Sequence, residues 1–223
     1  MISVKHPATF SEELFPVFMS IVDKYKIKSV LDPFAGIGKI GKLKEFGYCG
    51  TIFANEIEPE WISDNKYNCD YIFCEDAETL KIPAMVDAII TSPTYGNRMA
   101  DHHNAKDGSK RITYTHYLGR NLNEENTGKM QYGNRYKEKH IRVYKNLESI
   151  IVPDGYFVVN ISNHIRNGKE VDVVNFHREA ISQMGFAQLE DYEIQTKRMK
   201  YGKNRNARVN CEHIIVFRRT PPL

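Results

Sequence analysis

Four short runs rich in β-branched and aromatic residues, at 28–32, 51–56, 71–74 and 86–91, alternate with segments of helical period. That alternation limits the fold more than any other feature of the chain. Apolar residues at 14, 15, 17, 18, 21, 22 and 25 recur at helical spacing over 11–26, with Ser11 as an N-cap. The spacing predicts further helices over 38–46, closed by Gly47, and over 59–67, where Pro59 suits a first turn. Strand and helix in regular turn signify a doubly wound, mostly parallel α/β sheet. The pattern resumes with a helix over 136–152, a turn at Pro153-Asp154-Gly155 and a strand over 156–161. A helix over 171–184, ended by Gly185, then leads to strands at 186–195 and 212–218.

Residues 97–133 break the rhythm: they are polar, rich in Asn, Gly, His, Arg and Tyr, and hold no sustained period. An insertion of that length inside a compact domain is usually functional or disordered. A second irregular stretch, 196–208, is strongly basic. With 223 residues the chain is read as one α/β domain over 1–223, with 97–133 as a candidate recognition segment.

Charge is divided unevenly. Residues 1–96 carry a net −5 and residues 97–223 a net +8, and a basic second half suits a polyanionic partner. No apolar run approaches the roughly 18 residues of a membrane span, so a membrane partner is not expected. Four cysteines without CxxC spacing fit a reduced, cytoplasmic setting and no structural metal. His102-His103 beside Asp101 lacks further ligands at metal spacing, so base or phosphate contact is the better reading. Asn160-Ile161-Ser162 matches a glycosylation sequon but falls in an expected buried strand and is set aside, while Asn160 and Asn163 end that strand near a substrate cleft.

The first and fourth strands end in segments that carry chemistry. After the first comes Asp32-Pro33-Phe34-Ala35-Gly36-Ile37-Gly38, and Gly36 to Gly41 matches GxGxxG, with Glu56 twenty residues on. Asp32 argues against a dinucleotide, because a carboxylate beside the glycine turn repels a pyrophosphate. It suits a cofactor with an ammonium group. Glu56, ending the second strand, is placed to accept ribose hydroxyls, and Asp76, after the third, to accept an adenine amino group. Trp61 is expected to pack under that adenine or against the second strand. After the fourth strand, Ser92-Pro93-Thr94-Tyr95 offers a hydroxyl, a carbonyl and an aromatic face. An exocyclic amino group is a poor nucleophile because its lone pair is delocalised. Ser92 Oγ and the Pro93 carbonyl can accept its protons while Tyr95 stacks on the base, so positioning does most of the catalysis. A base inside a duplex must be flipped out to reach such a turn.

Together, DPFAGIG and SPTY, continued as Tyr95-Gly96-Asn97-Arg98, resemble motifs I and IV of the amino-group DNA methyltransferases. His6-Pro7-Ala8-Thr9-Phe10 is similar to that family's motif X. The resemblance implies S-adenosyl-L-methionine as cofactor, DNA as partner, and a Rossmann-like, mostly parallel seven-stranded sheet with an antiparallel C-terminal hairpin. It assigns Phe10, Asp32, Pro33, Phe34, Gly36, Gly38, Glu56, Ile57, Asp76 and Ala77 to the cofactor, and Ser92, Pro93, Thr94 and Tyr95 to catalysis. The Ser form of the turn favours cytosine N4 over adenine N6. Thr94 stands where the family usually has a second proline and gives up its fixed φ. This leaves open a nucleic-acid-binding protein on a weakened methyltransferase fold. RNA or protein-glutamine amino methylation is a further enzymatic alternative. Without a separate recognition domain, Asn97, Arg98, Lys110, Arg111, Lys200, Lys203 and Arg205 in the two irregular stretches are the expected DNA contacts.

Overall fold

The structure, a computed structural model, describes residues 6, 10–96, 114–166, 168–195 and 209–220. Strands β1 (Ser29–Asp32), β2 (Thr51–Asn55), β3 (Tyr71–Phe73), β4 (Val86–Thr91), β5 (Ile151–Ile161), β8 (Phe186–Gln195) and β9 (Cys211–Arg219) form one sheet in the order β3-β2-β1-β4-β5-β9-β8. The first five run parallel, and β9 pairs antiparallel with both β5 and β8. This is the seven-stranded, hairpin-ended arrangement that the resemblance implied.

Period-two alternation explains why the strands read as continuous apolar runs. Val30, Ile52, Ala88, Ile90, Val158, Ile214 and Val216 face α1 (Phe15–Tyr25), whose Phe15, Phe18, Ile21 and Val22 are buried against them. Leu31, Phe53, Ile89, Phe157, Val159, Ile215 and Phe217 face the other way, onto α4 (Asn134–Ile150) and α5 (Val173–Gln183). Both faces are covered, so both residue sets must be apolar. Winding reverses at β1, which lies between β2 and β4, and the crevice at such a reversal is where open α/β sheets bind ligands.

Several local expectations are corrected. Ser11 is extended and makes no capping bond; residues 12–14 form a 3₁₀ turn, and α1 starts at Phe15, next to Pro16, which has no N–H to satisfy. The helix expected over 38–46 is 3₁₀ (Lys39–Phe46), and that over 59–67 is a single turn, α2 (Pro59–Ile62). The Pro153-Asp154-Gly155 turn lies within β5, where the register against β4 shifts and Asp154 takes φ 64. A small hairpin, β6 (His164–Arg166) with β7 (Lys169–Val171), precedes α5 and was not expected. Within the insertion, residues 114–133 hold a helix, α3 (Tyr114–Leu118), and a 3₁₀ turn at Thr127–Lys129. Among the described residues, no helix is long and apolar enough to cross a membrane.

Candidate active site

A cavity of about 320 Å³ opens at the crevice, walled by the loops that leave β1, β2, β3 and β4. Of the expected cofactor set it is lined by Phe10, Asp32, Pro33, Phe34, Glu56, Ile57, Asp76 and Ala77, and all four residues of the Ser92–Tyr95 turn line it too. Gly36 and Gly38 are not on its wall. They shape the turn instead, with φ of 56 and 74, and a Cβ on Gly36 would stand 3.2 Å from His6 Nε2. Asn97, Arg98, Lys110, Arg111, Lys200, Lys203 and Arg205 lie outside the described residues.

Asp32 is 1% exposed, and only Oδ1 is engaged, by the Phe34 N–H at 3.0 Å and the Thr91 hydroxyl at 2.6 Å. Oδ2 has no partner among the described residues. Burial pushes the Asp32 carboxyl up to about 7, against the pull of those two donors. Glu56 is likewise raised to about 7 by burial, although Oε1 accepts the Glu58 N–H and Oε2 the Gly36 N–H. Its oxygens tie the glycine turn to β2 as well as facing the cavity. Asn55 was missed in the sequence. Its amide bonds the Pro33 carbonyl and both the N–H and C=O of Glu75, stitching three strand ends together.

Asp76 is more occupied than expected. Oδ1 accepts the Glu78 N–H, and Oδ2 is 2.6 Å from Lys139 Nζ. The Lys139 ammonium, 2% exposed, also reaches Glu78 at 2.8 Å and Glu125 at 3.1 Å. Burial works against its charge, but these bonds outweigh burial and its pKa is raised. The signal in the sequence was a lysine on the buried stripe of a helix, beside Tyr136 and Val143. The triad Asp76, Glu78 and Glu125 could by spacing hold a metal ion, but the ammonium sits among its carboxylates. Glu193, Cys211 and His213 also lie within ligating distance of one another on the hairpin, with His213 Nδ1 2.9 Å from Asp191.

In the turn, Ser92 Oγ is 3.2 Å from the Tyr95 hydroxyl, and Asn160 Nδ2 reaches Ser92 Oγ at 3.4 Å and Glu212 at 3.0 Å. Asn160 and Glu212 both line the cavity, as expected for the first and unexpected for the second. Asn163 faces away and caps α5, accepting from the N–H groups of Val173 and Val174. The Thr94 hydroxyl donates to Thr127 Oγ1 at 2.9 Å, so the residue standing for proline is fastened through its side chain.

Thr127 belongs to the insertion, and the described half of that insertion is cleft wall. Tyr114, Glu125, Asn126 and Thr127 line the cavity. The segment is tied down by Glu58, fully buried, whose Oε1 accepts from Asn123 N and Asn126 Nδ2. Arg120 forks onto Glu60 and stands 2.8 Å from Glu58 Oε2. Lys129 pairs with Glu124. Both cations of this segment are thus paired with carboxylates of the chain. Trp61 packs with Tyr114 and Leu122 rather than against β2, its ring 4.2 Å from that of His6, and it borders the cavity.

The architecture is that of Rossmann-like methyltransferases. N-methyltransferase NodS from Bradyrhizobium japonicum WM9, in complex with S-adenosyl-L-homocysteine, matches with TM-score 0.55 and 11% identity over 94% of this chain and 87% of its own. A methyltransferase from Pyrococcus furiosus matches with TM-score 0.54 and 13% identity over 96% and 86%. TrmN from Thermus thermophilus matches with TM-score 0.53 and 12% identity over 96% of this chain and 50% of its own. At these identities the likeness is one of fold. No family model and no curated protein matches the sequence.

Proposed function

We propose that the chain is an S-adenosyl-L-methionine-dependent DNA methyltransferase acting on an exocyclic amino group of a flipped base, cytosine N4 ahead of adenine N6. One observation carries this reading. A buried carboxylate with an unspent oxygen, Asp32, shares its cavity with the Ser92–Tyr95 turn. The cavity residues fit the cofactor. Asp32 Oδ2 suits its ammonium, Glu56 its ribose, and Asp76 and Ala77 its adenine end, and the same cavity is lined by Trp61, whose Nε1 is buried with no partner among the described residues. S-adenosyl-L-methionine supplies a methyl group on an electrophilic sulfonium centre.

The turn handles the acceptor. Ser92 Oγ and the Pro93 carbonyl take the amino protons and leave the nitrogen lone pair to attack, and the Tyr95 ring stacks on the base. The DNA substrate is supported by the Ser form of the turn, its Tyr95-to-Arg98 continuation and the net +8 of residues 97–223. Incubation with methyl-labelled cofactor and separate pools of DNA, RNA and protein tests this. Label is expected in DNA. Label confined to RNA or protein overturns the substrate, and tight cofactor binding without any transfer favours a nucleic-acid-binding protein on a weakened fold.

A further inference from the structure

The catalytic turn is connected to a buried polar chain that the proposed reaction does not use. The Thr94 carbonyl accepts from the Tyr136 hydroxyl at 2.5 Å. Tyr136 Oη is also 2.9 Å from His177 Nε2, and His177 Nδ1 is 2.5 Å from the Tyr144 hydroxyl. All three side chains are at most 1% exposed.

With His177 neutral, as its burial favours, only one arrangement of protons satisfies these contacts. A carbonyl cannot donate, so Tyr136 spends its proton on Thr94, and its oxygen must then receive the proton on His177 Nε2. Nδ1 is therefore bare and accepts from Tyr144. The direction is fixed from Tyr144 through His177 and Tyr136 to the turn. Burial supports it, holding His177 neutral and both tyrosines protonated. The neighbouring His140 takes no part: its Nδ1 bonds the Tyr136 carbonyl, and burial lowers it to about 4.

We propose that Tyr144, His177 and Tyr136 form a one-directional hydrogen-bond relay that positions the Ser92–Tyr95 turn for methyl transfer. The inference rests on the function proposed above. A proline at 94 would fix φ through its ring; a threonine leaves φ free, and the cost of ordering it must be met by contacts. Here the carbonyl is held by Tyr136 and the hydroxyl by Thr127. These are positioning residues.

In the full chain, Tyr136→Phe should lower kcat for methyl transfer about tenfold, the kinetic weight of one neutral hydrogen bond. KM for the cofactor should stay within about twofold, since the proposed cofactor contacts lie elsewhere. Val143→Ala, on the same helix and equally buried, should lose comparable stability and keep its kcat. Nitrogen NMR of the wild type should find His177 protonated at Nε2 and bare at Nδ1, with no titration between about pH 5 and 9. Amide exchange at Tyr95 and Gly96 should quicken in Tyr136→Phe. Wild-type kcat in Tyr136→Phe, an equal kcat loss in Val143→Ala, or a proton on Nδ1 would overturn the relay. A wild type that methylates no nucleic acid overturns the proposed function instead. The His177 tautomer and the exchange at the turn then still decide whether the relay holds it.

Discussion

Asp32 can serve a cationic ligand because its two oxygens are treated differently: Thr91 and the Phe34 N–H hold Oδ1, and Oδ2 is left for the cavity. Asp32→Ala should weaken S-adenosyl-L-methionine binding by about 2 kcal/mol or more, the scale of a charged hydrogen bond, read by calorimetry. Unchanged affinity would remove Asp32 from the cofactor site. Burial also makes this contact pH-dependent. With its carboxyl near 7 in the cofactor-free protein, Asp32 must give up a proton to pair with an ammonium, so affinity should rise as pH climbs through about 7. It should fall again above about 8, where an α-amino group loses its charge. The same shifts act on stability. Asp32 and Glu56 have folded values raised above their unfolded ones, so their contribution is full below about pH 4 and is lost as pH rises through about 7. Thermal melts of the cofactor-free protein across that range check the sign, and affinity independent of pH would show that Asp32 is already ionised. Ser92→Ala and Tyr95→Ala should abolish or strongly reduce transfer and leave cofactor affinity nearly intact. Filter assays showing near wild-type transfer in both would make the turn merely structural.

At the scale of elements, the strand ends were legible and the insertion was not, for one physical reason. A strand, its polar terminus and the turn after it are consecutive in the chain, so Asp32, Glu56 and the Ser92 turn could be read directly. Residues 114–133 are organised by Glu58 and Thr94, which lie far away in sequence, and no local period signals such contacts. Arg120 likewise finds its partners far away in sequence, on Glu58 and Glu60. The 3₁₀ form of Lys39–Phe46 and the β6–β7 hairpin were hidden in the same way, since short elements carry little periodicity. The insertion wall makes its own prediction. Glu58→Ala removes the acceptor of two hydrogen bonds and strands a buried amide, so it should lower thermal stability by about 1–3 kcal/mol and weaken cofactor binding together. Loss of stability with unchanged cofactor affinity would limit the segment to a structural role.

Charge is divided unevenly along the whole molecule. The acidic half supplies the strand ends of the cofactor cleft, and the basic half supplies the hairpin loop and the first part of the insertion. If those stretches grip DNA, binding should weaken steeply with salt. Neutralising Lys200, Lys203 and Arg205 together should then shallow the log–log slope by about one unit for each phosphate these cations had neutralised. An unchanged slope would leave the insertion as the sole candidate. The fold alone is shared with methyltransferases of very low identity, so the choice of acceptor rests on the turn. The most direct measurement is mass spectrometry of nucleosides from DNA incubated with the protein and labelled S-adenosyl-L-methionine, run beside Ser92→Ala. Labelled N4-methylcytosine, present with the wild type and absent with Ser92→Ala, is the predicted result. Labelled N6-methyladenine would change the base and keep the chemistry. DNA free of label on any amino group, under conditions where the cofactor binds, would contradict the account.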